Sequence, residues 1–254
     1  MLKILLVDIE TSPKRAFVWG LWKQNIAPKQ MISDWFMLTW AAKWYGSDEI
    51  FAEKLSSDEV MHEDDKRILY PLWYLMDKAD VVIGHNGDRF DVPSINTRFL
   101  MHDMSPPSPY RTVDTLKIAK RHFRFTSNRL DYLGDVLGVG RKIDTGGFEL
   151  WEKCLKGDEK AMDDMLTYNK QDVFLLEDVY DKLKPFAKIH PSHAATEEEQ
   201  VCPKCGSDHM VKRGFAYTNT ARYQRFRCMD CGSWSRSRAN DRSKEEMKNT
   251  LSPI

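Results

Sequence analysis

A chain of 254 residues with 42% hydrophobic and 30% charged content can bury a sizeable core, which excludes an intrinsically disordered protein. The apolar run Ile4–Val7 is too short for a signal peptide and no stretch is long enough to span a bilayer, which predicts an intracellular, cytoplasmic or nucleoid protein with no membrane partner. Zero net charge hides an asymmetry: residues 201–254 carry 11 Lys and Arg against 5 Asp and Glu, whereas residues 1–200 carry 27 against 33, so the basic segment is suited to a polyanion.

Taken in order, residues 2–8 are almost continuously apolar, as in a strand buried on both faces, and the run ends in Asp8 and Glu10. Strand alternation puts these two carboxylates on one face. Burying them side by side costs several kcal/mol without a cation, so the pair reads as a metal site and not as an accident. The aromatic and β-branched run Ile32–Tyr45, a turn at Gly46-Ser47-Asp48 and the run Ile50–Lys54 predict an antiparallel meander with the first strand. A helix with Ile68, Leu72, Leu75, Met76 and Ala79 on its apolar face follows, and Pro71 either kinks it or marks its start.

Strand Val81–Ile83 then leads into a polar loop from Gly84 to Pro93, where Phe90 is expected to anchor the loop and Asp91 to present a carboxylate. Asp88 competes with Asp91 for that role. Asn86 and Arg89 are candidates for contact with a phosphate or nucleotide, and His85 reads as a hydrogen-bonded structural residue. Beyond it come a helix at Ile95, Phe99 and Leu100, ended by Ser105-Pro106-Pro107, and a strand-to-helix passage at Thr112–Leu116. Ser127 or Asn128 is a suitable cap for a helix carrying Leu130, Leu133 and Leu137 and closed by Gly138. A helix or helix pair from about Asp158 to Leu183 sets Tyr168 and Asp172 one turn apart. A phenol with a pKa near ~10 is a poor base at neutral pH, but it can orient a water. This succession predicts a mixed α/β sheet flanked by helices.

Four of the five cysteines form two C-x₂-C pairs, Cys202/Cys205 and Cys228/Cys231, separated by 22 residues. In an intracellular chain this spacing predicts one tetrahedral Zn²⁺, with Gly206 and Gly232 completing the knuckle turns. Cys154 stands alone and reads as an unreactive buried thiol. Lys212, Arg213, Arg222, Tyr223, Arg225, Phe226, Arg227, Trp234, Arg236 and Arg238 interleave positive charge with aromatic rings. That mixture suits phosphate contact plus base stacking, with a protein-docking ribbon as the alternative. The expected organisation is a catalytic domain over residues 1–188, a linker over 189–200, a zinc ribbon over 201–240 and a polar tail over 241–254.

Asp8-x-Glu10, Asn86-x₃-Phe90-Asp91 and Tyr168-x₃-Asp172, in that order, resemble the three exonuclease motifs of the DEDD (DnaQ-like) 3′–5′ exonuclease superfamily, in its tyrosine-bearing branch. Glu10-Thr11-Ser12-Pro13 and Asp91-Val92-Pro93 are similar to the YprB-like subgroup and to family B polymerase proofreading domains. The resemblance covers about residues 1–186. It implies an RNase H-like fold and two-metal hydrolysis of a 3′-terminal phosphodiester. Asp8, Glu10, Asp91 and Asp172 are then implied as ligands of two Mg²⁺ or Mn²⁺, and Tyr168 as the residue that positions the attacking water. Asp114 matches a common segment of the family and reads as structural. Single-stranded DNA is the favoured substrate, ahead of RNA, and a polymerase or replication protein is a compatible partner. RNA trimming, a structure-specific internal cut and a non-catalytic nucleic-acid-binding or docking role are the alternatives. Gly87-Asp88-Arg89 departs from the family by its charge, with Arg89 placed either to contact a phosphate or to pair with Asp88.

Overall fold

The N-terminal apolar run forms strand β1 (Ile4–Thr11), with Leu5, Leu6, Val7 and Ile9 buried. In this computed structural model, which describes residues 2–141, 146–187, 200–218 and 220–248, β1 is the middle strand of a five-stranded sheet. A central strand meets apolar neighbours on both faces, which is why its sequence stays apolar until Asp8. A short hairpin of β2 (Arg15–Ala16) and β3 (Met31–Ser33) follows, and the chain returns as β4 (Met37–Trp44) antiparallel to β1. In that register Asp8 lies opposite Ala41 and Glu10 opposite Thr39. Strand β5 (Ile50–Lys54) completes the expected meander. The run expected as one strand from Ile32 divides in two: Asp34 Oδ1 accepts the Trp35 N–H at 2.8 Å, a local bond that competes with strand pairing.

The remainder of this unit is α1 (Ser57–His62), α2 (Lys66–Asp77), β6 (Val81–Gly84), α3 (Asp91–Met101), β7 (Arg111–Asp114), α4 (Thr115–His122), α5 (Leu130–Val136), α6 (Phe148–Leu155) and α7 (Glu159–Leu183). Strands β6 and β7 run parallel to β1, so the order β5-β4-β1-β6-β7 is the mixed, helix-flanked sheet the sequence predicts. Helix α1 is an addition, opened by a capping box in which Ser56 and Glu59 satisfy each other's backbone N–H. Pro71 lies inside α2 and does not mark its start. Arg129, not Ser127 or Asn128, is the cap position of α5, and Ser127 Oγ accepts the Arg129 N–H at 3.3 Å. The last body helix is one element, begun where Asp158 Oδ1 accepts the Ala161 N–H at 3.0 Å.

Helix α7 is fixed to the sheet by polar contacts as well as by buried Val173, Leu176 and Val179. Buried Lys43 on β4 is paired with Glu177, whose other oxygen accepts the Gly46 N–H at 2.7 Å. Helix α5 is held close to α7 through Gly134. A methyl group there would sit 2.6 Å from the Gly140 carbonyl oxygen and 2.7 Å from Leu175 Cδ1. Gly134→Ala will therefore overpack this seam and lower stability by about 1–3 kcal/mol, read as a fall in the urea midpoint at unchanged slope.

The chain parts into two compact units at Tyr180 and Asp181. The second contains an antiparallel sheet of β8 (Met210–Tyr217), β9 (Arg222–Cys228) and β10 (Trp234–Arg236), in the order β10-β9-β8, and then α8 (Lys244–Lys248). The expected linker lies outside the described residues except for Gln200. Residues 241–248, expected as tail, are tied in: Asp241 donates its N–H to the Arg222 carbonyl at 2.7 Å, and Ser243 with Glu246 caps α8. No described helix is long and apolar enough to cross a membrane.

Candidate metal centres and nucleic-acid interface

Alternation along β1 turns Asp8 and Glu10 to the same face, and α7 brings Asp172 to meet them. One carboxylate oxygen from each lies within 4.8 Å of the others. Asp8 and Glu10 are half-buried and Asp172 is 1% exposed. Three like charges this close in a partly desolvated setting repel strongly, and an all-oxygen donor set is the kind that hard divalent cations take. The donors therefore fit Mg²⁺ or Mn²⁺.

A residue that the sequence reading passed over orders this cluster. Fully buried Asn169 donates from Nδ2 to Asp8 Oδ2 at 2.6 Å and accepts from Thr39 Oγ1 at 3.2 Å. Thr39, Asn169 and Asp8 form a chain from β4 through α7 to β1. Its signal in the sequence is position: Asn169 is three residues before Asp172, so the two share a helix face.

Asp91, which is not one of these three, is brought to β1 by α3. It is the first residue of α3 and 3% exposed, not a member of a polar loop, and its Oδ1 accepts the N–H of Ile9 at 3.3 Å. That bond sets Asp91 against the backbone between Asp8 and Glu10. Asp88 instead pairs with Lys117 at 2.6 Å. Phe90, expected as an apolar anchor, is 43% exposed; the turn is closed by the Asn86 carbonyl, which accepts the N–H groups of Arg89 and Phe90. His85 bonds Thr115 Oγ1 through Nδ1 and the Asn128 carbonyl through Nε2, both at 2.9 Å, in keeping with a structural role. Asp114 caps α4 through the N–H groups of Leu116 and Lys117 and also accepts from Asn86.

Tyr168 opens onto a groove of about 570 Å³ lined also by His85, Asn86, Lys120, Asn128 and Arg129. Its two cations outnumber its one carboxylate, Asp131, which suits a phosphate-bearing ligand. Arg89 is exposed and does not line this groove. Cys154 is fully buried, and burial pushes its thiol up to about 12, which leaves it without nucleophilic character.

In the second unit the four cysteine sulfurs of residues 202, 205, 228 and 231 also lie within 4.8 Å of one another. Cys202 and Cys231 are 3.7 Å apart, as are Cys205 and Cys228. The edge of a ZnS₄ tetrahedron with bonds of about 2.3 Å is about 3.8 Å, so the cluster fits that ion. The two knuckles repeat one design, in which Gly206 and Gly232, at φ 77° and 74°, donate to the carbonyls of Cys202 and Cys228.

Along β9 the side chains alternate. Phe226 is 5% exposed and turned into the ribbon interior, away from exposed Arg225 and Arg227. Arg225 and Arg227 approach the ring of Trp234 on β10, at 4.9 and 5.9 Å, and Arg236 covers Tyr223 at 3.9 Å. Arg222 is engaged within the unit by Asp241 and by the Phe215 ring. Lys212 and Arg213 are exposed on β8.

The family model of the RNase_H superfamily matches residues 40–184, more than half of the chain. Among solved structures, the family B DNA polymerase from the hyperthermophilic archaeon Pyrobaculum calidifontis is similar, with a TM-score of 0.55 and 18% identity. The match covers 73% of this chain and 25% of the polymerase, so the chain spans about a quarter of that protein's length. At this identity the likeness is one of fold. No curated protein matches the chain. The family match bears out the RNase H-like sheet expected from the sequence.

Proposed function

Because the chain belongs to the RNase_H superfamily, we propose that it is a metal-dependent 3′–5′ exonuclease acting on single-stranded nucleic acid, with DNA favoured over RNA. The observation that carries this reading is the convergence of Asp8, Glu10 and Asp172, with Asp91 bonded to the backbone between the first two. These four carboxylates would hold two Mg²⁺ or Mn²⁺, which when bound lower the pKa of water and neutralise charge on the phosphate and the leaving oxygen.

The chain's own residues do the rest. Asn169 fixes the rotamer of Asp8, so the carboxylate needs no reorganisation when substrate arrives. Tyr168 borders the groove and orients the attacking water through its hydroxyl. Lys120 and Arg129 attract the phosphates of the strand, with Asn86 beside them. The 3′–5′ polarity follows from the resemblance of the three motifs. Cys202, Cys205, Cys228 and Cys231 would hold one Zn²⁺, and the face bearing Arg225, Arg227, Trp234 and Arg236 would contact nucleic acid by stacking and charge. A polymerase or replication protein is the protein partner this role accommodates.

The test is an incubation with Mg²⁺ or Mn²⁺ and 5′-labelled single-stranded DNA, duplex DNA and RNA, beside an Asp8→Ala, Glu10→Ala control. A ladder shortening from the 3′ end, absent from the control, is the expected result. Discrete internal products would make the protein an endonuclease, and retarded but uncut substrate would make it a binding protein. Asn169→Leu will lower kcat/KM by roughly 10- to 100-fold, the usual cost of losing a partner of a metal ligand, with the far-ultraviolet spectrum retained. Arg225→Ala with Arg227→Ala will weaken binding and flatten its dependence on salt, as loss of phosphate contacts requires.

A further inference from the structure

The connection between β1 and β4, the two strands that carry Asp8, Glu10 and Thr39, is an arm with an unusual surface. Trp19 is 100% exposed, Leu21 88% and Trp22 86%. Soluble proteins seldom leave so much contiguous apolar surface in water unless something covers it. The arm is also built to a shape. Gln30 accepts the Ala27 N–H through Oε1 at 2.9 Å and donates from Nε2 to the Phe17 carbonyl at 3.0 Å, while Phe17 N–H bonds the Gln30 carbonyl at 2.9 Å. Gln24 Nε2 donates to the Trp22 carbonyl at 2.8 Å. The backbone thus closes on itself while the two indoles face solvent.

Charge identifies the occupant. From Thr11 to Ser33 there is no acidic residue and there are four basic ones, Lys14, Arg15, Lys23 and Lys29. Lys14 and Arg15 at the root pair with Asp34 and Glu63, while Lys23 and Lys29 are exposed on the arm itself. Exposed indoles in a segment that carries cations and no carboxylate of its own suit an unpaired polynucleotide: rings stack on bases and ammonium groups meet phosphates. The arm leaves β1 at Thr11, directly after Glu10, so it springs from the end of the strand that bears the acidic cluster.

We infer that Trp19 and Trp22 form a base-stacking clamp that grips single-stranded nucleic acid beside the acidic site. This rests on the nuclease reading for the location of the substrate. It specifies the class recognised: a strand with unstacked bases, independent of their sequence.

The test uses the full-length chain in an Asp8→Ala background, which prevents cleavage, with a 12-nucleotide oligothymidylate and an abasic strand of the same length. Oligothymidylate will quench tryptophan fluorescence and the abasic strand will not. Trp19→Ala with Trp22→Ala will lose most of that quenching and bind oligothymidylate at least about tenfold more weakly, since one stacked base contributes roughly 1–3 kcal/mol. Trp19→Phe with Trp22→Phe will restore most of the affinity, and all three proteins will bind the abasic strand alike. Equal affinity of the alanine variant for oligothymidylate would overturn the clamp. So would phenylalanine variants as weak as the alanine ones, or an arm that instead mediates self-association in sedimentation. Hydrolysis of the p-nitrophenyl ester of thymidine 5′-phosphate, measured with Asp8 intact, reports the acidic site separately. If neither ester nor polynucleotide is cut, the nuclease reading fails while the binding series still decides the clamp.

Discussion

Asp172→Asn will raise the melting temperature of the metal-free protein and abolish the further rise that Mg²⁺ or Mn²⁺ produces in the native chain. Asp172 is 1% exposed and shares a 4.8 Å cluster with Asp8 and Glu10, so without a cation its charge is both desolvated and repelled. Replacing it by a neutral amide of nearly the same shape removes the repulsion and leaves the packing of α7 intact. The sign reverses when metal is present. A cation that binds only the folded state stabilises it by about 2.7 kcal/mol at a hundred times its dissociation constant, and a variant lacking a ligand forfeits that gain. For a chain of this size the lost shift is roughly 5–10 °C, readable by calorimetry with and without Mn²⁺. On the proposed reading hydrolysis will fall by about three orders of magnitude, because ions held by this cluster would supply several kcal/mol of transition-state charge stabilisation. A variant that keeps both the metal-induced shift and the activity would remove Asp172 from the site.

The parts of this architecture that the sequence makes legible are those governed by nearest-neighbour periodicity. The apolar run before Asp8, the turn at Gly46-Ser47-Asp48 and the one-turn spacing of Tyr168 and Asp172 each constrain their own segment, and all three lie where that pattern puts them. Asp91 is different. Its flanking residues resemble a loop, and what makes it the start of a helix is a fit to the backbone of Ile9, 82 residues away. Phe90 departs from expectation for the same reason: an aromatic beside a strand end suggests burial, yet the Asn86 carbonyl closes the turn without it. Asn169 shares a helix face with Asp172, but that spacing alone gives an asparagine no task. Only the approach of Thr39, 130 residues away, and of Asp8, 161 residues away, gives it a task. The ribbon repeats the lesson in reverse. Phe226 looked like a stacking residue by composition, and strand alternation, which the sequence did contain, turns it inward between Arg225 and Arg227.

Stripping metal from the four cysteines will unfold the small sheet of the second unit while the core of residues 3–180 still melts cooperatively. The argument is one of scale. Between residues 200 and 248 the buried side chains among those described are Cys202, Phe226, Cys228 and Ser233, so a single large apolar group is present. Three short strands around one phenylalanine cannot offset the conformational entropy of their backbone. On the proposed reading the stabilisation comes from a Zn²⁺ held by the four cysteines, whose paired sulfurs at 3.7 Å match the edge of a ZnS₄ tetrahedron. Structural zinc in such modules supplies on the order of 10 kcal/mol near neutral pH, which exceeds anything the apolar contacts here contribute. Chelation, or Cys228→Ser, will therefore expose β9 to trypsin at Arg222, Arg225 and Arg227, with cleavage there faster by about two orders of magnitude or more than in the zinc-loaded chain. Readdition of Zn²⁺ will restore protection to the chelated protein and not to the Cys228 variant. A sheet that stays protected through both treatments would mean the cysteines hold no structural ion, and the basic face of Arg225, Arg227 and Trp234 would then need another source of order to present itself to a strand.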